Sequence, residues 1–154
     1  MNQPLQDASV KSKCGYVAII GRPNVGKSTL LNGILNFKLS IVTNKPQTTR
    51  HKILGIHSDE ESQILFMDTP GLISPKYKLH EFLVAAAENA AQAADVLLFM
   101  VEARELVQLQ DEDLLKQFLK YKKPVIVCIN KVDLIDRQKI LPMIEQVSKM
   151  DGVD

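Results

Sequence analysis

The chain has 154 residues, 45% of them hydrophobic and 24% charged, which is the size and apolar content of one domain with a core of its own. Its 19 basic and 18 acidic side chains leave a net charge of +1, so bulk electrostatics supply no general attraction to nucleic acid or to an anionic membrane. No apolar run approaches the roughly 18 residues of a membrane span, and Met1 to Lys13 lacks the apolar centre of a secretory signal, which reads as a cytoplasmic protein.

Met1 to Lys13 is polar, contains Pro4 and shows no periodicity, so residues 1–14 read as a disordered tail ahead of a domain spanning 15–154. The β-branched run Tyr16 to Ile20 predicts a strand, and Ser28 to Leu35 carries helical spacing. Between them Gly21-Arg22-Pro23-Asn24-Val25-Gly26-Lys27-Ser28, followed by Thr29, spells a phosphate-binding loop. Gly21 and Gly26 let the backbone turn its N–H groups inward, and the helix behind aims its positive end at the same point. Lys27 is placed to reach β- and γ-phosphates, and the Ser28 hydroxyl to ligate a magnesium ion bridging them.

Phe37 to His51 fits neither helix nor strand and reads as a functional loop around Lys45-Pro46-Gln47-Thr48-Thr49-Arg50. Lys52 to His57 and Gln63 to Met67 predict a hairpin closed by the turn Ser58 to Ser62. Asp68-Thr69-Pro70-Gly71 follows at once and opens a second loop through Tyr77. Leu79 to Ala94 predicts a helix packing on a sheet through Leu79, Phe82, Leu83, Ala86, Ala90 and Ala94. Val96 to Val101 is an unbroken apolar strand. Asp111-Glu112-Asp113 begins a helical pattern through Leu114, Leu115, Phe118 and Leu119, where acids suit the helix dipole. Val125 to Ile129 predicts a buried strand, with Cys128 as a small core residue; Cys14 lies at the tail, and no partner stands at disulfide or metal-ligand spacing. That strand runs into Asn130-Lys131-Val132-Asp133, and a last helix restarts at Pro142 as a first-turn proline and ends near Met150.

Apolar strands alternating with helices predict an α/β/α three-layer fold, its sheet mostly parallel with one antiparallel edge strand. In such a sheet the ligand lies at the carboxyl ends of the strands, where all three motifs fall. The Asp133 carboxylate can accept two hydrogen bonds from the ring N–H and exocyclic amine of guanine, a donor pair that adenine lacks on that edge. The Lys131 stem can cover the base, and Asn130 can tie this turn to the phosphate loop. Asp68 is placed to hold magnesium through a water, and the Gly71 N–H to contact a γ-phosphate because no side chain blocks its approach. The phosphate loop and Asn-Lys-x-Asp together arise by chance in about 1 in 10,000 chains of this length.

Gly21 to Asn32 and Asp68 to Leu72 resemble the translation-factor class of P-loop GTPases, and Lys45 to His51 with Gly55-Ile56 resembles its Era-type family in particular. The resemblance covers Gly15 to Asp154 and implies GTP/GDP and Mg2+ as ligands. It makes Phe37 to His51 switch I, Gly71 to Lys78 switch II, and Thr49, or Thr48, the residue that caps magnesium in the GTP state. A relative coordinates potassium (K+) at the position of Asn24; the alternative is that Asn24 braces switch I or the loop. Family members continue into a Ser-Ala base loop, a final strand and helix, and a KH-type domain that binds 16S rRNA of the small ribosomal subunit. By resemblance, then, 15–154 is a GTP-binding domain lacking its final strand and helix and the KH domain. Full-length members are implied to act in the cytoplasm, with peripheral association at the inner membrane, and the present chain to be monomeric.

Three functions use such a loop. A GTP-hydrolysing switch employs every motif. A P-loop phosphotransferase needs an acceptor site and an arginine-rich lid, neither visible here. A non-catalytic GTP-binding module differs from the switch only in a rate. If hydrolysis occurs it is expected to be slow, because Leu72 stands where Ras-like proteins place a water-orienting glutamine. Catalysis then falls to Lys27, Asn24, Thr49, the Gly71 N–H and magnesium on Ser28, Thr49 and Asp68. His51, His57 and His80 read as exposed polar residues, and Arg22 and Arg50 as solvated or phosphate-steering groups rather than internal arginine fingers.

Overall fold

Apolar runs of strand length alternate with helical patterns, and the computed structural model, which describes residues 13–36, 53–72, 78–104, 107–150 and 152–153, assembles them in that order. The elements are β1 (Lys13–Gly21), α1 (Lys27–Leu35), β2 (Ile53–Ser58), β3 (Ser62–Asp68), α2 (Lys78–Ala93), β4 (Val96–Glu102), α3 (Leu109–Leu119), β5 (Val125–Asn130), a 3-10 turn (Val132–Leu134) and α4 (Arg137–Ser148). Among the described residues the strands form one sheet in the order β2-β3-β1-β4-β5. β1 runs parallel to β3 and β4, and β4 to β5, while β2 alone is antiparallel, at the edge beside β3.

Parallel strands need cover on both faces, and alternate residues of β1 and β4 supply it. Ala18, Ile20, Leu97 and Phe99 face Ala87 and Ala91 of α2, Leu115 of α3 and Met143 of α4. Ile19, Phe66 and Met100 face the other way, toward Val25 of the loop after β1 and Leu31 of α1. The result is a three-layer α/β/α arrangement, its sheet mostly parallel with one antiparallel edge strand. The chain leaves β1 toward β3 on one side and later crosses to β4 on the other, so the crevice at the carboxyl end of β1 is the switch point where ligands bind. Register sets Ile19 beside Asp68, Gly21 beside Met100 and Glu102 beside Asn130, which brings the three motifs to one edge.

Four local expectations are corrected. Lys13 and Cys14, expected in the tail, begin β1 and pair with Ser62 and Gln63, with the Lys13 N–H donating to Glu61 O at 2.9 Å. Main-chain pairing extends the strand beyond its apolar stretch. Residues 1–12 lie outside the described residues. On α2 the buried stripe is Leu83, Ala87, Ala90 and Ala91, continued by Ala94 just past its end, whereas Phe82 is 60% exposed; the i, i+4, i+7, i+8 spacing starts at Leu83, one residue past Phe82. β5, expected to be buried, pairs only with β4 among the described residues, and Ile126 is 51% exposed and Cys128 half-buried. Pro142 sits inside α4 rather than in its first turn, because the helix starts earlier, at Asp136, whose carboxylate accepts the Gln138 N–H.

Candidate nucleotide site

The phosphate loop joins β1 to α1 through a backbone that only particular residues tolerate. Gly26 lies in the left-handed region at φ 106°, and a Cβ there would collide with the Asn130 amide. Asn24 also takes positive φ, at 63°. α1 begins with no side-chain cap and no acidic residue in its first turn, in contrast to α4, whose N-terminus Asp136 caps. An uncapped helix N-terminus of this kind presents amide donors and a positive dipole to an anion.

Lys27 is buried, and its ammonium donates to Gly21 O at 3.0 Å and Arg22 O at 2.8 Å, closing the loop into an arc. Burial lowers its pKa to about 8, opposed by the Asp68 carboxylate nearby. Ser28 Oγ donates to Asp68 Oδ2 at 2.7 Å, and Asp68 is fully buried at the end of β3. Its second oxygen, Oδ1, has no hydrogen-bond partner among the described residues. An orphaned buried carboxylate oxygen beside a serine hydroxyl is a hard-oxygen donor set, and it fits magnesium.

The residues after Asp68 divide between site and scaffold. Thr69 Oγ1 donates to Ile19 O at 2.7 Å inside the core, so this hydroxyl binds β3 to β1. Pro70 is buried as well. Gly71 abuts the loop so closely that a Cβ would stand 2.5 Å from Pro23 Cα. Leu72, expected in the nucleotide shell, is corrected: its side chain is buried in the core and its N–H donates to Gly21 O at 3.1 Å. Val25 likewise turns its side chain into the core and offers the site only its backbone.

At the other end of the crevice, Asn130 closes β5 and its Nδ2 donates to Val25 O at 2.8 Å, tying the base motif to the phosphate loop. Lys131 turns the chain at φ 59° into the 3-10 turn, and its ammonium lies 3.5 Å from Glu102 Oε1. Val132 and Asp133 are exposed, the carboxylate at the start of that turn. Arg22, expected to be solvated or phosphate-steering, is partly exposed and has protein partners. Its Nη1 donates to Gln108 Oε1 at 2.7 Å and lies 3.6 Å from Asp111 Oδ2, both at the start of α3.

Sequence reasoning missed Gln108, Asp111 and Glu102. Asp111 reads in sequence only as one of three acids that suit the helix dipole, yet it is buried, and the signal is its position four and seven residues before Leu115 and Phe118 on the core face of α3. Thr48, Thr49, Arg50 and His51, with the rest of switch I, lie outside the described residues, as do residues 73–77 of switch II. Among the described residues no helix is long and apolar enough to cross a membrane.

A glycine-turned loop between strand and helix, a Ser–Asp pair with a spare carboxylate oxygen and an Asn130 tie between that loop and the end of β5 make this a P-loop fold of the GTPase class. The family model for "50S ribosome-binding GTPase" matches residues 16–131, and the chain belongs to that family. It is 46% identical over 138 residues to GTPase Era of Ruminiclostridium cellulolyticum, which covers 90% of this chain and 46% of that protein, so the chain spans about half the length of that curated relative. A crystal structure of Era in complex with MgGDPNP and nucleotides 1506–1542 of 16S ribosomal RNA superposes with a TM-score of 0.85 at 44% identity, covering 92% of this chain and 50% of that one. NFeoB from S. thermophilus bound to GDP.AlF4- and K+ is 27% identical with a TM-score of 0.64, covering 80% of this chain and 47% of that one.

Proposed function

We propose that this chain binds magnesium GTP and hydrolyses it slowly to GDP and phosphate, as a molecular switch. The observation that carries the reading is the Asn130 Nδ2 bond to Val25 O, which holds the guanine-reading turn and the phosphate loop at the two ends of one crevice. Asp133 selects the base and Lys131 covers it. The loop amides of 24–28 and the α1 N-terminus take the phosphates. Lys27 exchanges two loop carbonyls for phosphate oxygens and stays protonated. Ser28, Asp68 and, by resemblance, Thr49 hold the magnesium ion, which when bound supplies positive charge to the β- and γ-phosphates.

In hydrolysis a water oxygen bonds to the γ-phosphorus while the bond to the β,γ-bridging oxygen breaks; its electron pair leaves with GDP, and the water's proton ends on phosphate or solvent. The chain contributes charge and donors: Lys27 and the Gly71 N–H balance the electrons gathering on the phosphoryl oxygens. Leu72, packed in the core, cannot orient the water. We assign Asn24 to a potassium ion beside the phosphates, a reading supported by its exposed, left-handed position in the loop and by the K+ in the NFeoB structure. A role in 16S rRNA maturation in the cytoplasm belongs to the same proposal, for a protein of the Era relatives' length, with the present chain monomeric.

Competition against a fluorescent guanine nucleotide tests the binding step: GTP and GDP displace it and ATP does not, and Asp133→Asn moves the preference toward xanthine nucleotides. Equal displacement by ATP and GTP would refute the reading. Phosphate release in potassium and in sodium separates the switch from a binding module, and loss of any potassium advantage in Asn24→Ala tests the ion.

A further inference from the structure

The phosphate loop is anchored at two points by side chains from elsewhere in the fold. Asn130 grips the loop at Val25, beside the base motif. Arg22 grips it at the opposite end, through Gln108 and Asp111 of the α3 N-terminal region. Among the described residues, peptide groups flanking Arg22 make contacts with Lys27 and the start of the Asp68 loop. Gly21 O receives the Lys27 ammonium at 3.0 Å and the Leu72 N–H at 3.1 Å, Arg22 O receives the same ammonium at 2.8 Å, and Pro23 is the surface against which Gly71 lies.

Asp111 bears the marks of a group kept for placement. It is buried, its Oδ1 has no partner among the described residues, and burial pushes its carboxyl above the usual range against the opposing pull of Arg22. A partly satisfied buried carboxylate costs stability, which fits a positioning role better than a stabilising one. We infer that Arg22, Gln108 and Asp111 form a clasp that sets the γ-phosphate end of the loop and thereby the preference for nucleoside triphosphate over diphosphate. Arg22 and Asp111 are positioning residues here: they act through Gly21, Pro23, Lys27 and Gly71. The inference rests on the nucleotide reading proposed above and deepens it.

The test measures dissociation constants of magnesium GDPNP and of GDP, with ATP as competitor, for the unsubstituted chain and for Arg22→Met, Asp111→Asn, Gln108→Ala and Arg22→Lys. Arg22→Met and Asp111→Asn raise the GDPNP constant about tenfold more than the GDP constant, Gln108→Ala does so more weakly, and guanine remains preferred over adenine. Arg22→Lys keeps the charge without the fork and recovers part of the difference. A merely structural role lowers both affinities by the same factor, and that result overturns the clasp, as does a loss of guanine preference. If Arg22→Met or Asp111→Asn fails to fold, Gln108→Ala decides, because its backbone carbonyl still serves α3; an unchanged GDPNP-to-GDP ratio there overturns the proposal. Failure of the unsubstituted chain to bind either nucleotide, seen before any substitution, overturns the nucleotide reading and the clasp with it.

Discussion

Raising the pH from 7 to 9 should weaken magnesium GTP binding about tenfold through Lys27 alone. In the free protein burial holds this ammonium at a pKa of about 8. A bound triphosphate restores the full charge, so only molecules with protonated Lys27 bind well. About nine-tenths are protonated at pH 7 and about one-tenth at pH 9, a tenfold fall in affinity worth about 1.4 kcal/mol. Guanine-ring ionisation also weakens binding at high pH, and Lys27→Arg separates the two, because its guanidinium keeps its charge throughout. Fluorescence titrations at half-unit pH steps should show the steeper slope in the unsubstituted chain. If the arginine variant binds too weakly, the Lys27 side-chain NMR shift in the free protein reads the ionisation directly. Parallel slopes, or a Lys27 midpoint above pH 10, would sink the argument. Stability of the free protein moves the opposite way. With the folded pKa lowered, the cost of burying the charge is fully present below pH 8 and is relieved as pH rises toward 10.5, a gain on the order of 3 kcal/mol.

Asn130→Ala removes the tie to Val25 O and should weaken GDP and GTP equally, by about 1–2 kcal/mol in parallel titrations; a selective loss of GTP would contradict its placement at the base end. Gly71→Ala forces a methyl against Pro23, and the overpacking should cost about 1–3 kcal/mol in denaturant unfolding and slow phosphate release; unchanged values for both would show that the contact yields freely. Leu72→Ala opens a core cavity and should destabilise the fold by about 2–5 kcal/mol, while turnover per folded molecule persists; abolished turnover with folding and GTP binding intact would place residue 72 in the chemistry. Magnesium GTP at 100 times its dissociation constant should stabilise the folded chain by about 2.7 kcal/mol, and a thermal scan with no shift would count against a competent site.

What the sequence determined by itself was local chemistry and order. Gly26 and Lys27 carry the phosphate-loop reading because few other residues tolerate that backbone, and Asn130 to Asp133 carry the proposed guanine reading because the donor pattern of that base calls for a carboxylate. Alternating apolar runs fixed the layers, since a parallel sheet must be covered on both faces. Only the tertiary structure decided which polar residues are spent inside. Asp111 and Asp113 are two acids of one helix turn, yet one is buried against Arg22 and the other is exposed, according to which face of α3 meets the sheet. Phe82 and Ile126 look like core in one dimension and are exposed in three, because helix rotation and the position of a strand within the sheet are properties of the packed assembly. Arg22 shows the same limit: its neighbours in sequence suggest a phosphate, while the fold brings it residues 86 and 89 positions away, and long-range partners of that kind leave no periodicity to read.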